Sequence, residues 1–425
     1  MHLRMLAKFQ SQPSSVSSIR YLSEFVLSNM AVTFCWGNSM QRRILLQAGA
    51  LIGTAVMLPA ALSFSPPSRI KAILAGMRGR FQDVVDAPER FRLQIEYAYP
   101  SGEGQSWRFE SYRHGAEWTA PASTVKLPLA IFTLLRLAQL GLTRAALLKV
   151  LDPPSCAAQA DELAEFETFE RTLIRMLVLS DNGAYNRLYE FVGGYRVPSL
   201  LKRFGFPNAK LQARLGTCNP AENARGRGVV VAHANGQILW QDRAEHAILI
   251  SAPAASLPPP LVGKAYLDFS ETRINEPKDF KFSNHWSIAD AHTLMLAIAG
   301  VRPHPLIAAL QPADLDFLRK TMRTLPREAG FAEADYPDAW GKFLLHGDHK
   351  TRMPIGTHST NKIGQAYGFL LDSAWLEDAA HQCVLSAVIY VNSDGVLNDD
   401  QYEYEQLGLP FLAELGRRLL AYSPR

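Results

Sequence analysis

The pattern of apolar positions predicts several helices. Between about Arg69 and Val85 apolar residues recur every three or four positions, which is the spacing of one helix face, so an N-terminal helix is predicted there. Thr124–Leu140 is apolar on nearly every side, and a helix of this kind is expected at the centre of a fold. Further helices are predicted over Phe166–Leu179, Arg187–Phe191, Asn284–Ile298 (with a cap at Ser287) and Gln406–Leu420.

Strands are predicted near both ends of the chain. Phe91–Tyr99 alternates and is rich in aromatic residues, and Trp107–Arg113 is predicted to return beside it after a turn that begins at Ser101. Lys362–Leu371 and Cys383–Val391 are the strands predicted near the other end, and the second is apolar enough to be central. This order predicts an α+β domain in which both chain ends contribute to one sheet.

Residues 212–285 differ in character from the rest of the chain. Three consecutive prolines at 258–260, glycines at 226 and 228, and short strand-like pieces such as Val229–Ala232 predict a long, loop-rich insertion. We therefore expect residues 69–425 to form one domain that contains this insertion at about 212–285.

The N-terminal region resembles an export signal. Arg42 and Arg43 precede an uncharged stretch from Ile44 to Ser68, and Ala61–Ser63 offers a small-residue cleavage site. The paired arginines are typical of a twin-arginine signal, although a Sec signal fits nearly as well. A buried helix and an uncleaved membrane anchor are the alternatives; the short run argues against a full membrane span.

This interpretation divides the N-terminal region in two. Met40 stands directly before the signal, so we interpret it as the true start of the protein. Residues 1–39 are then an extension assigned to the protein in error, and residues 40–63 are the signal peptide. We expect the protein to be exported to the periplasm, without stable membrane insertion once the leader is cleaved.

Composition and charge exclude several classes of protein. The chain has 425 residues, 48% hydrophobic and 20% charged, which excludes a disordered, collagen-like or coiled-coil protein. There are 44 basic and 40 acidic residues, and the excess of basic residues lies within the first 63 positions. Because the remainder is balanced, composition gives no reason to expect nucleic-acid binding.

The four cysteines are at positions 35, 156, 218 and 383, and the first lies upstream of the predicted start. They include no C-x-x-C pair, so a thiolate metal site is not expected, and one disulfide at most could form among the last three. A buried, unpaired thiol is the simpler expectation for each.

Ser123 and Lys126 form a Ser-x-x-Lys motif at the predicted start of the central helix. A spacing of three places both side chains on one helix face. A serine hydroxyl is a weak nucleophile until a base takes its proton, and a lysine in a dry site can lose its own proton and act as that base. The motif alone is weak, because Ser68 and Lys71 repeat it at a place where no chemistry is expected.

Two further motifs follow. In Ser180–Asn182, at a break between helices, the serine can pass a proton to a leaving nitrogen and the asparagine can bind an amide; the alternative is a helix end followed by an N-cap. In Lys362–Gly364, at the start of a predicted strand, the lysine could bind a carboxylate. The glycine lets a ligand approach the backbone, and the N–H of Gln365 could complete an oxyanion hole.

In this order the three motifs resemble the set found in class A β-lactamases and penicillin-binding proteins, which are active-site serine hydrolases. The resemblance covers about Phe91 to the C-terminus. It implies a β-lactamase/transpeptidase-like fold, with an antiparallel sheet from both chain ends flanked by helices and an all-helical subdomain.

The resemblance also implies a role for each motif residue. Ser123 would be the nucleophile that becomes acylated, Lys126 would activate it, and Ser180 would pass the proton to the departing nitrogen. Asn182 would bind the substrate's side-chain amide. Lys362 would attract the substrate carboxylate, Gly364 would allow close approach, and the N–H groups of Ser123 and Gln365 would form the oxyanion hole.

Two departures from the family pattern bear on this assignment. Ile363 stands where the family usually has Thr or Ser, so a hydroxyl donor to the substrate carboxylate is lost. Class A enzymes also use a glutamate after the second motif to position the deacylating water. Glu222 is the first candidate here, with Glu271, Glu276 and Asp268 as weaker ones, and without such a carboxylate the acyl-enzyme would be hydrolysed slowly.

The leading functional hypothesis is a class A β-lactamase that forms and hydrolyses an acyl-enzyme. The alternatives are a D-alanyl-D-alanine carboxypeptidase or related peptidoglycan amidase, and a penicillin-binding sensor without turnover. In each of these hypotheses the partner is a small-molecule β-lactam or a D-alanyl peptide. No metal and no organic cofactor is expected. We expect the protein to be a monomer.

Overall fold

The computed structural model describes residues 68–101, 106–349 and 351–423. The predicted extension and signal peptide lie outside the described residues, as do Cys35 and most of the turn predicted after Ser101. The described residues belong to one compact unit, Ser65–Arg425. Within them, no helix is both long enough and apolar enough to cross a bilayer.

The helices largely follow the predicted pattern. The described helices are α1 (Arg69–Asp86), α2 (Lys126–Gln139), α3 (Ala160–Leu163), α4 (Phe169–Ile174), α5 (Asn182–Val192), α6 (Val197–Arg203), α7 (Pro220–Asn223), α8 (Ile288–Ile298), α9 (Pro305–Ala308), α10 (Pro312–Arg323), α11 (Phe343–His346) and α12 (Leu409–Ala421). The predicted cap of α8 is confirmed, because the Ser287 side chain accepts the N–H of Asp290. The second Ser-x-x-Lys is also a cap, since the Ser68 side chain accepts the N–H of Lys71 at the start of α1.

The strands include the predicted ones and several short additions. The described strands are β1 (Gln94–Pro100), β2 (Trp107–Tyr112), β3 (Leu147–Val150), β4 (Glu167–Thr168), β5 (Arg225–Gly226), β6 (Val229–Ala232), β7 (Ile238–Asp242), β8 (His246–Ala247), β9 (Leu261–Val262), β10 (Ala265–Leu267), β11 (Arg273–Ile274), β12 (Lys278–Asp279), β13 (His358–Ala366), β14 (Phe369–Glu377), β15 (Gln382–Tyr390) and β16 (Val396–Leu397).

The main sheet joins the two ends of the chain, as predicted. Its order is β13-β14-β15-β1-β2, and every neighbouring pair is antiparallel. The prediction of one continuous strand over Lys362–Leu371 was wrong. A turn at Tyr367 and Gly368, both with positive φ, divides this segment between β13 and β14. Apolar residues continue on both sides of this turn, so periodicity alone gave no sign of it.

Helices cover both faces of this sheet. Helices α1 and α12 pack with β1, β14 and β15 in one apolar cluster, and α8 packs against the opposite face. Strand β15 is central, as predicted, because residues 383–389 are all fully buried. At Gly416, α12 passes so close to α11 that a Cβ atom would lie only 1.7 Å from the Leu344 carbonyl oxygen.

The helical part of the fold contains a small sheet, of which only β6 (Val229–Ala232) was predicted as a strand-like piece. Strands β4, β3, β6 and β7 form a four-stranded sheet whose residues Leu148, Val229 and Val231 enter the same apolar core as α2 and α5. The α+β class is therefore confirmed, whereas the expectation of an all-helical subdomain was wrong. The loop-rich segment 212–285 supplies two of these four strands.

A disulfide joins Cys156 to Cys218, with the two Cα atoms 4.8 Å apart. The expectation of an unpaired thiol was therefore wrong for these two cysteines and correct for Cys383, which is free and buried. The bond closes a loop across a sequence separation of 62. Spacing could not reveal it, because the pair is brought together only by the tertiary fold.

The double variant Cys156→Ser/Cys218→Ser should be markedly less stable than the native protein. Loss of a cross-link over a loop of this length is expected to lower the free energy of unfolding by about 4 kcal/mol, because the unfolded chain gains entropy. Urea denaturation measures this difference, with Cys383→Ser as the control for removing a thiol that forms no disulfide. Equal unfolding midpoints for the double variant and the native protein would contradict the expectation.

Candidate active site

The candidate nucleophile Ser123 lies in a 3-10 turn, Ala122–Val125, that leads directly into α2. Ala122 has a φ of 44°, a left-handed conformation that is unfavourable for a residue with a side chain. Such strain persists where the surrounding structure holds a site in a particular geometry. Because α2 is buried on most of its surface, packing fixes the position of the turn.

Lys126 contacts the candidate nucleophile directly. Its Nζ lies 2.7 Å from Ser123 Oγ. The same nitrogen lies 2.5 Å from the carbonyl oxygen of Ser180 and 2.7 Å from Oδ1 of Asn182. The first two motifs therefore meet around one amine.

Burial favours the neutral form of this amine. Lys126 is completely buried, and its removal from water lowers the pKa of its ammonium group well below the usual range; the nearby charge of Lys362 lowers it further. A neutral amine keeps one lone pair. Because the Ser180 carbonyl and Asn182 Oδ1 can only accept hydrogen bonds, they take the N–H donors, and the lone pair remains for the proton of Ser123 Oγ.

The second motif lies between a π-helical turn and α5. Ser180 has a left-handed φ of 62°, and its carbonyl oxygen faces the buried amine. Asp181 is the N-cap of α5: its Oδ1 accepts the N–H of Ala184, and its Oδ2 lies 2.8 Å from a guanidinium nitrogen of Arg175. The helix-cap alternative is therefore correct for Asp181, and this cap also holds Ser180 and Asn182 in place.

The third motif lies in the middle of β13, not at the start of a strand as predicted. Lys362 Nζ donates hydrogen bonds to Ser180 Oγ and to the Ile363 carbonyl, each at 2.9 Å. Since Lys126 Nζ lies 3.4 Å from the same hydroxyl, Ser180 stands between two lysines. Burial lowers the pKa of Lys362 to about 7, although the charge of Asp372 acts in the opposite direction.

A buried polar network holds β13 in place. Asn361 Nδ2 donates to Asp372 Oδ1 at 2.7 Å, and Asn361 Oδ1 accepts from Lys342 Nζ at 2.8 Å. The N–H of Leu344 donates to the second oxygen of Asp372. Neighbouring residues on a strand point to opposite sides, so this network positions Asn361 while Lys362 extends toward Ser180. No spacing rule in the sequence indicated these partners.

Gly364 allows β13 to lie against the turn that carries Ser123. A Cβ atom at position 364 would lie 3.0 Å from the Pro121 carbonyl oxygen and 3.1 Å from the Ser123 nitrogen. The next residue, Gln365, is exposed and lines the same cavity as Ser123. Ile363 is only 8% exposed and packs in the apolar cluster with α1 and α12, so its side chain does not line that cavity.

Ser123, Asn182 and Gln365 line a cavity of about 670 Å³. Much of the remaining wall comes from the segment predicted as an insertion, namely residues 213–220 and parts of 268–284. A cavity of this volume accommodates a small organic molecule. The loop-rich segment therefore shapes the space in front of the candidate nucleophile.

Glu222 does not lie in this cavity. It is in the short helix α7, where Asn219, Pro220 and Asn223 face the cavity, while the Glu222 carboxylate forms an ion pair with Arg227 at 3.1 Å. Helical geometry places position 222 on the other side of this turn. The structure therefore does not support Glu222 as the residue that positions a water molecule.

Of the three weaker candidates for the carboxylate that positions water, one lines the cavity and two do not. Asp268 lines the cavity, whereas Glu271 and Glu276 are exposed residues that do not. The Asp268 carboxylate accepts the N–H groups of Ser270 and Thr272 within its own turn. In the described residues the other carboxylate on the cavity wall is that of Asp279.

A buried ion pair that sequence analysis missed anchors the wall formed by residues 213–220. The guanidinium of Arg214 lies 2.6 Å from Glu190, and both side chains are almost completely buried. Arg214 also donates to the carbonyl oxygens of Glu222 and Arg225. Charged residues in a loop-rich segment are usually solvated, so nothing in the sequence pattern indicated this pair.

In the described part of the chain, no group of three or more His, Cys, Asp or Glu side chains has an arrangement suited to holding a metal ion. The side chains that converge on Ser123 carry hydroxyl, amine and amide groups.

One protein-family model matches this chain. The model of the β-lactamase enzyme family matches residues 105–251, a range that includes Ser123, Lys126 and Ser180 but ends before Lys362. A search of curated proteins finds no match.

Solved β-lactamases have a similar fold. TLA-3 extended-spectrum β-lactamase is 14% identical, with a TM-score of 0.50 over 83% of this chain and 98% of that chain. A β-lactamase from Sphaerobacter thermophilus is 14% identical, with a TM-score of 0.46 over 83% and 95% of the two chains. One from Burkholderia vietnamiensis is 15% identical, with a TM-score of 0.47 over 84% and 96%.

The family match and the fold shared with TLA-3 confirm the resemblance indicated by the motifs: the chain has a β-lactamase fold and, over residues 105–251, the sequence pattern of the β-lactamase enzyme family.

Proposed function

We propose that this protein is a serine hydrolase that opens β-lactam rings by acylation of Ser123. The observation that carries the proposal is the 2.7 Å contact between Ser123 Oγ and the Nζ of a fully buried lysine. A surface Ser-x-x-Lys has no such contact, as the cap at Ser68 illustrates. The family match to the β-lactamase enzyme family supports the same reaction class.

Acylation requires a proton to leave Ser123 and a proton to reach the departing nitrogen. Neutral Lys126 accepts the proton of Ser123 Oγ, whose oxygen attacks the lactam carbonyl carbon. When the carbon–nitrogen bond breaks, the nitrogen takes the proton of Ser180 Oγ, and Ser180 recovers a proton from protonated Lys126 at 3.4 Å. The products are an ester on Ser123 and a free ring amine, so atoms and charge balance.

The remaining residues bind the substrate in this proposal. The N–H groups of Ser123 and Gln365 stabilise the oxyanion, and Gly364 permits their close approach. Asn182 Oδ1 is engaged by Lys126, so its Nδ2 is the group available to a substrate amide carbonyl. Lys362 supplies positive charge for the substrate carboxylate, with no hydroxyl from position 363.

A specific observation favours the alternative of a D-alanyl peptidase or penicillin-binding protein. Deacylation of class A type needs a carboxylate that positions water, and Glu222 is paired with Arg227 outside the cavity. Both activities share the acylation steps and differ in how fast the ester is hydrolysed. We therefore propose acylation by β-lactams followed by slow hydrolysis of the acyl-enzyme.

We further propose that the protein acts in the periplasm. The support is the arginine pair and uncharged stretch of the N-terminal sequence, together with a disulfide of the kind formed in oxidising compartments.

Penicillin should add its whole mass to the native protein and none to Ser123→Ala. Lys126→Met should slow formation of the adduct by roughly two to four orders of magnitude, because general-base assistance is lost. Intact-mass spectrometry over time measures both the rise and the decay of the adduct. Ser68→Ala and Lys71→Met, in the second Ser-x-x-Lys, are matched controls and should acylate like the native protein. Full labelling of Ser123→Ala would exclude the assigned nucleophile.

Glu222→Gln should leave the decay rate of the acyl-enzyme within about twofold of the native rate, because the carboxylate lies outside the cavity. The decay is followed by mass spectrometry after excess penicillin is removed. Asp268→Asn provides the comparison on the cavity wall. A hundredfold slower decay in Glu222→Gln alone would show that Glu222 reaches the ester after all.

The second-order rate constant of acylation by a carboxylate-bearing penicillin should fall as the pH rises through about 7. Lys362 has a pKa lowered to about 7, so its charge is present below that pH and lost above it, whereas burial and the charge of Lys362 hold the pKa of Lys126 well below its usual range. Lys362→Arg should lose this alkaline limb, because a guanidinium stays charged. A rate constant that is flat to pH 9 in the native protein would contradict the role of Lys362.

A further inference from the structure

Lys278 is a cation on the cavity wall that the acylation mechanism does not use. It lies in β12 and lines the same cavity as Ser123. Its Nζ is 4.4 Å from the centre of the Tyr266 ring and 5.8 Å from that of Phe280, so the aromatic rings hold the side chain in place. The residue is half-buried, which makes its charge more effective than that of a surface lysine.

The carboxylates on the same wall do not compensate this charge. Asp279 forms its ion pair with Lys281, at 3.0 Å, and the Asp268 carboxylate accepts N–H groups of its own turn. Burial is the cause of the lowered pKa of Lys278, with no carboxylate raising it. In the described structure Lys278 has no ion pair, so an anion entering the cavity would find an unpaired cation.

The direction of β13 indicates which part of a substrate would meet Lys278. Along this strand, Lys362 marks the carboxylate end of the proposed substrate, and Gln365 marks its carbonyl group. Tyr367, at the end of the strand, also lines the cavity, and its ring packs against Phe280 at 5.0 Å between centres. Since a strand advances about 3.3 Å per residue, the acyl side chain would extend past Tyr367 toward the wall that contains Lys278.

This wall also exposes apolar surface. Phe269 is 74% exposed and Phe282 is 42% exposed, and both line the cavity. Large exposed aromatic side chains in a cavity commonly mark a ligand-binding surface. The wall therefore combines aromatic surface with one unpaired positive charge.

We propose that Lys278 binds a carboxylate on the acyl side chain of the substrate. The preferred substrates would carry two anionic groups, one for Lys362 at the leaving-group side and one for Lys278 at the acyl side, with an apolar portion against Phe269 and Phe282. This inference rests on the proposed function and narrows its substrate class to amides with a carboxylated acyl arm.

Two penicillins that differ by one carboxylate test the proposal. Carbenicillin is benzylpenicillin with an added carboxylate on its phenylacetyl arm. The ratio of acylation rate constants, carbenicillin over benzylpenicillin, should fall roughly tenfold in Lys278→Met, because one charge-assisted contact is lost. Lys264→Met removes the same charge from the same segment at an exposed position outside the cavity wall, and its ratio should equal the native one. An equal fall in both variants, or none in Lys278→Met, would overturn the proposal.

Binding without chemistry separates this proposal from the proposed function. In the Ser123→Ala background, the affinity ratio of the two penicillins should fall when Lys278→Met is added, as measured by calorimetry. If neither penicillin acylates the native protein, the proposed function is wrong. The affinity ratio still decides the present inference: a fall supports a carboxylate site at Lys278, and an unchanged ratio refutes it.

Discussion

The structure depends on one lysine, Lys126, whose amine is buried and forms no ion pair within the described residues, although the nearby charge of Asp181 acts to raise its pKa. Lys126 enters the core at the start of α2, where its neighbours are hydroxyl, carbonyl and amide oxygens. An ammonium ion in such a place is costly, and the cost is avoided when the proton is lost. The second lysine, Lys362, adds to this effect from the other side of Ser180. The fold thus places a lysine with a lowered pKa next to a serine.

Much of the rest of the molecule holds these few atoms in register. The helix cap formed by Asp181 holds Ser180 in place. The hydrogen bond between Asn361 and Asp372 holds the strand that contains Lys362. Gly364 lets that strand contact the turn that carries Ser123. The Cys156–Cys218 disulfide and the buried Arg214–Glu190 pair anchor the facing wall. Each element restrains a loop or strand whose displacement would separate the motifs.

The sequence predicted the parts of this arrangement that depend on local pattern. A segment that is apolar on nearly every side located α2, alternation located β1, and an apolar run located β15. The three motifs placed Ser123, Lys126, Ser180 and Lys362 in one family context. Features that depend on which distant residues meet were not predictable in this way. Glu222 follows the second motif at a plausible distance, yet its side of α7 faces Arg227, and the pairing of Cys156 with Cys218 appears only in the folded chain.

The proposed mechanism requires the amine of Lys126 to be neutral before acylation begins. The most direct test is an NMR titration of protein labelled with ¹³C at lysine Cε, with the Lys126 signal assigned by its absence in Lys126→Met. We expect this signal to titrate well below the range of the exposed lysines, because burial lowers the pKa of Lys126. A Lys126 signal that remains that of an ammonium group through pH 9 would show that Lys126 cannot act as the base.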